Sequence, residues 1–153
     1  MAGTLSARVH GDHKQLIGPI VIAANPSADI VIPVLTPNSP GGLQIIGAKL
    51  YVATTIATQG TNYVTIYVQK IATNGAGSAT NILSYTTNSS GGAAITTSAV
   101  NSMTLAATTE AEARVAYTDL LAIKFDFATT THVAFDQLMV ELLFTPGATG
   151  TLS

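Results

Sequence analysis

His10-Gly-Asp12-His13 brings two imidazoles and a carboxylate within four residues, side chains that bind divalent metals. A zinc site needs three or four ligands held by a fixed second shell. This cluster belongs to one short polar segment, so it reads as a set of polar contacts and no metal is expected. His132, Asp136 and the many serines are the ingredients of a hydrolytic triad, but no G-x-S-x-G elbow, P-loop or H-E-x-x-H motif activates them. Glu110 and Glu112 have the residue type of a glycosidase carboxylate pair, and their period-2 spacing equally describes the wet face of a strand. Cysteine is absent, which removes thiolate zinc sites, disulfides and a cysteine nucleophile. No enzyme and no cofactor are expected. Tyr63 and Tyr67 share one face of an alternating segment, and Tyr51 on a neighbouring strand is expected to join them. Such a row can stack on a sugar ring, making these three tyrosines the candidate carbohydrate platform. The plainer reading is that tyrosine is a favoured cross-strand and interface residue. Asn88-Ser-Ser90 fits the glycosylation pattern, read here as chance.

Composition narrows the class. Only 9% of the 153 residues are charged, where about 25% is usual, and Ile71 to Thr109 contains no charged side chain. The uncharged stretches are broken by Pro, Gly, Asn and Thr, so none resembles a membrane-spanning helix. A net charge of −2 offers no footprint for nucleic acid. The opening residues lack the basic and apolar regions of a signal peptide, so export is not expected. Neutral faces promote self-association, and a home inside an assembly explains them most simply.

The elements that must carry these residues are strands. Thr, Val, Ala, Gly and Ser dominate, while straight-chain helix formers are scarce. Residues 1–15 read as an extended amino-terminal arm and 16–153 as a single domain. The runs around Ile17 to Ile22 and Ile30 to Leu35 are apolar on both faces, and each carries a proline that confines it to a sheet edge or bulge. Asn62 to Ile71 alternates cleanly, Asn74-Gly75 marks a turn, and Asn81 to Thr87 reads as a strand. Met103 to Ala116 is ambiguous: Thr109-Glu-Ala-Glu112 matches a capping box, but extended structure is preferred. Leu121, Ile123, Phe125 and Phe127 oppose Ala122, Lys124 and Asp126. Between His132 and Phe144 the apolar parity changes, which predicts a β-bulge. The expected core comprises Leu50, Val52, Val64, Ile66, Val68, Leu121, Ile123, Phe125, Leu138, Val140 and Leu142. The expected fold is an all-β, antiparallel, jelly-roll-like sandwich.

Ala116-Tyr-Thr-Asp119-Leu-Leu-Ala-Ile-Lys-Phe125, followed by Asp136-Gln-Leu-Met-Val-Glu-Leu-Leu-Phe144, resembles the closing strands of jelly-roll capsid decoration (cement) proteins of tailed bacteriophages. Ile46 to Thr54 looks like an early core strand of that type. Thr118 stands where these proteins often carry the glycine of a Gly-Asp turn. The resemblance implies a virion structural protein made in the host cytoplasm. It would sit as a homotrimer on the outer capsid surface and bridge subunits of the major capsid protein. Contacts to that partner or to sister subunits are expected from Arg8 and His10 in the arm and from Ile20, Val21, Val31 and Val34 in the proline-bearing strands. The alternative is a carbohydrate-binding or fibre-head module using Tyr51, Tyr63 and Tyr67.

Overall fold

The structure, a computed structural model, describes residues 13–37, 41–72, 78–97 and 99–146. Its strands are β1 (His13–Ile22), β2 (Ile30–Leu35), β3 (Leu43–Tyr51), β4 (Val64–Ile71), β5 (Ala79–Thr86), β6 (Asn101–Ser102), β7 (Thr104–Leu105), β8 (Arg114–Val115), β9 (Leu120–Phe127) and β10 (Phe135–Pro146), and one helical turn, α1 (Glu110–Ala113), precedes β8. The first sheet has the order β1-β10-β3-β6, with β8 also pairing β3, and the second has the order β2-β9-β4-β5-β7. Every ladder between these strands is antiparallel. First strand pairs with last and second with penultimate, the nested wrapping of a double-sheet jelly roll.

Alternation builds the core. Leu50, Val64, Ile66, Val68, Leu121, Ile123, Phe125, Leu138, Val140 and Leu142 are all buried, and Val52 is half-buried against them. Phe125 and Phe135 meet edge to face with ring centroids 5.6 Å apart. The parity change in β10 is a bulge: Ile20 pairs with Leu138 and Ile22 with Phe135, so β10 carries one residue more than β1 there, and Gln137 takes a φ of 58°. A second shift, between Ile17 and Ile20, places an extra residue in β1 around Gly18 and Pro19. The two irregularities offset each other and restore the register.

Both proline-bearing strands lie at sheet edges, β1 in the first sheet and β2 in the second, as a residue without an N–H requires. The opposite side is closed by residues 101–115. This segment pairs with β3, crosses to β5, turns through α1 and returns to β3. The preference for extended structure between Met103 and Ala116 holds at β7 and β8 and fails at Glu110–Ala113, where the capping box forms. Thr109 accepts from the Glu112 backbone N–H, and the Glu112 carboxylate accepts from the Thr109 N–H. Lys70 adds a cap, donating to the carbonyls of Ala111 at 2.7 Å and Arg114 at 2.9 Å.

Two boundaries also move. β1 begins at His13, inside the segment expected as an arm, because His13 stacks on Phe144 and Gln15 pairs with Leu142. The turn before β9 closes without glycine: Asp119 N–H donates to the Ala116 carbonyl, and Ala116 N–H donates to the Asp119 carboxylate. The rest of the arm and the Asn74-Gly75 turn lie outside the described residues.

Candidate functional site

Among the described residues, the outer face of the first sheet brings several exposed or half-exposed apolar side chains together through the strand register. On β10, Leu138, Val140 and Leu142 point inward, which turns Met139, Glu141 and Leu143 outward. Glu141 pairs laterally with Leu16 of β1 and Lys49 of β3, Met139 with Tyr51, and Leu143 with Lys14 and Gly47. Leu16 is 58% exposed and Val21, further along β1, is 69% exposed. Gly47 adds no side chain, and the space over it is open.

Three charges sit amid this surface, Glu141 with a lysine on each side. Lys14 and Lys49 each approach the Glu141 Oε1 at 3.8 Å, and the Tyr51 hydroxyl donates to its Oε2 at 3.4 Å. Exposed pairs of this kind contribute about 0–1 kcal/mol. A partner that covered this face would have to desolvate these three charges, which is a cost to be offset by the apolar contacts around them.

The expected contact residues separate into three groups. Val21 and Val31 are exposed at the two proline-bearing edges. Ile20 is buried in the protein's own core and Val34 is half-buried against it, so neither belongs to the free surface as expected. The cause is the extra residue near Gly18, which sets Ile20 and Ile22 inward and Val21 outward. Arg8 and His10 lie outside the described residues. Leu16, Met139 and Leu143 were not singled out from sequence, although the alternation of β10 could have indicated the last two.

The three-tyrosine platform does not form. Tyr51 is on β3 in the first sheet, while Tyr63 and Tyr67 belong to the second sheet, one just ahead of β4 and one within it. Tyr63 and Tyr67 do share a wall of an open groove of about 480 Å³, together with Thr65, Ser84, Thr86 and Asn88.

A separate cleft of about 490 Å³ opens at one end of the sandwich between Asn25, Thr54, Ile56, Asn62 and His132. His132 is 5% exposed, stacks on Phe135 and meets Phe127 edge-on. Its Nδ1 lies 2.8 Å from the Val133 carbonyl. A carbonyl can only accept, so Nδ1 carries a proton in this contact. Among the described residues no carboxylate hydrogen-bonds this ring, and Asp136 is exposed on β10.

Glu112 is likewise committed to structure. Its carboxylate accepts from the Thr108 backbone N–H, the Thr108 hydroxyl and the Thr109 N–H, and these bonds, led by that to the Thr108 backbone, hold its pKa below the ordinary carboxylate value. The expected wet strand face at Glu110 and Glu112 is instead the helical turn α1.

No family model matches the chain, and neither the curated proteins nor the solved structures searched contain a match.

Proposed function

We propose that this chain is a non-enzymatic virion structural protein that attaches to the outside of an assembled phage capsid and stabilises it by bridging subunits of the major capsid protein. The observation that carries the reading is the outer face of the first sheet, where exposed Leu16 and Val21 adjoin Met139, Leu143 and Tyr51 around Glu141 and its two lysine neighbours. Burying apolar surface contributes about 25 cal/mol per Å². The apolar part of this face can therefore contribute binding energy, against which desolvation of Lys14, Glu141 and Lys49 is a cost. Support also comes from the jelly-roll strand order, which agrees with the resemblance in the closing strands.

The mechanism follows from linkage. A clamp whose contacts span two neighbouring subunits binds fully only where both are in place, so its binding energy adds to the stability of the closed shell. No reactive group is required. Exposed Val31, at the proline-bearing edge of the second sheet, is the proposed contact to sister subunits in a homotrimer.

Co-sedimentation tests the reading. The full chain is mixed with assembled shells, and separately with free subunits, of the major capsid protein of the virus that encodes it. Sedimentation with shells and none with free subunits is expected. Equal binding to both, or to neither, overturns the proposal.

A further inference from the structure

We propose that the open groove on the outer face of the second sheet binds a neutral oligosaccharide, using Tyr63 and Tyr67 as stacking surfaces and Thr65, Thr86 and Asn88 as the hydrogen-bonding group. The site is distinct from the proposed capsid-facing sheet, and the inference does not depend on capsid attachment.

The register builds the groove. Thr65 pairs with Thr86 and Tyr67 with Ser84 across β4 and β5, which puts all four side chains on the face opposite the buried Val64, Ile66 and Val68. Tyr63 extends the same row. Side chains four residues apart on an extended segment stand about 13 Å apart, farther than one sugar ring reaches, so the two tyrosines suit a ligand of several units. Tyrosine rings can stack on the C–H side of a pyranose, and both of these tyrosines are half-buried in the lining.

The hydrogen-bonding pattern points to hydroxyl recognition. Thr65 Oγ1 donates to Thr86 Oγ1 at 3.1 Å, and the Asn88 backbone N–H donates to the same Thr86 Oγ1 at 3.2 Å. Thr86 Oγ1 then accepts twice, and among the described residues its own proton meets no acceptor. Thr65 has given its proton and keeps its lone pairs. An acceptor and a donor therefore stand 3.1 Å apart, complementary to adjacent sugar hydroxyls, each of which both gives and takes a hydrogen bond. Asn88 Oδ1 is occupied by the Ser90 N–H at 2.8 Å, which leaves its amide protons as further donors.

Charge selects against acidic glycans. The lining contains no ionisable group apart from the tyrosine hydroxyls. The nearest charges on the adjoining strand, Lys124 and Asp126, are paired with each other at 3.2 Å, and Lys124 also pairs with Asp29 at 3.0 Å.

The test is an array of neutral, sialylated and sulfated oligosaccharides probed with the full chain, followed by NMR titration with the best neutral trisaccharide or tetrasaccharide. Binding to a neutral oligosaccharide is expected. Tyr67→Ala should weaken it about tenfold through lost stacking, and Thr86→Val several-fold through the lost donor. Tyr51→Ala, on the other sheet, should leave it unchanged. Both groove variants carry changes on a half-exposed face, and unfolding midpoints verify that they fold; Tyr63→Ala replaces either one that does not. Co-sedimentation of Tyr67→Ala with shells should equal that of the unaltered chain, which separates a failure here from a failure of the capsid reading. Binding to no glycan at millimolar concentration, binding only to acidic glycans, or wild-type affinity in either folded groove variant overturns the proposal.

Discussion

The side-chain amide of Asn101 donates to the backbone carbonyl of Leu50 at 3.0 Å, tying the strand that closes the sandwich to the central strand β3. Asn101 is 4% exposed. Its Oδ1 accepts from the Thr96 N–H, and its Nδ2 also reaches the carbonyls of Thr96 and Ala99. One side chain thus satisfies polar groups from three stretches of backbone. Asn101→Ala is expected to destabilise the fold by about 2–3 kcal/mol, because it strands buried polar groups. Urea unfolding would show this as a lower midpoint at unchanged slope.

Gly42 has a φ of +66°, and a Cβ there would lie 2.1 Å from the Val115 carbonyl oxygen. Backbone meets backbone, so no side-chain rotation can relieve the contact. Gly42→Ala should cost at least about 2 kcal/mol. Hydrogen exchange should show the loss first in the pairing of β8 with β3. A Gly47→Ala control, with nothing near its Cβ, should be nearly neutral.

The edge and face residues make the opposite prediction. Leu16→Ser and Val21→Ser alter exposed side chains, so the stability of the isolated chain should change by no more than about 0.5 kcal/mol. Attachment to assembled shells should nevertheless fall by about tenfold in the double variant, read as the concentration for half-occupancy. Ile20→Ser should unfold the protein instead, because Ile20 faces the core.

Acid should loosen α1 through Glu112. Its folded pKa lies below its ordinary value of 4.5 because Thr108 and Thr109 hydrogen-bond the charged form. A depressed carboxylate pKa contributes stability that is present above the unfolded value and is lost as pH falls through the folded one. Amide exchange at Ala113, whose N–H donates to the Thr109 carbonyl, should therefore accelerate as the pH falls below the ordinary carboxylate value. Glu112→Gln should remove that dependence. Persistence of the acid effect in Glu112→Gln would assign it to another group.

Much of this architecture was legible in the sequence because strand alternation is local. The inward rows of β4, β9 and β10, the bulge in β10 and the edge placement of both proline-bearing strands follow from side-chain period and from proline's missing N–H. The fate of Thr109 to Ala113 did not, since a capping box competes with β context and the decision rests on Glu112 and Lys70, which is 42 positions away. Nor could sequence say which strands are neighbours. Tyr51 and Tyr67 have the same residue type and the same outward parity, yet the nested order places them on different sheets. Ile20 and Val21 differ by one position, and the irregularity at Gly18 and Pro19 decides which is buried. The donor–acceptor pair of Thr65 and Thr86 arises only from the cross-strand register of residues 21 positions apart. Composition and periodicity determined by themselves that the chain would form a neutral, double-faced sandwich, because burial pattern and backbone propensity act within a strand. Tertiary structure alone decided which outward residues share a surface, because strand order and register are set by long-range pairing.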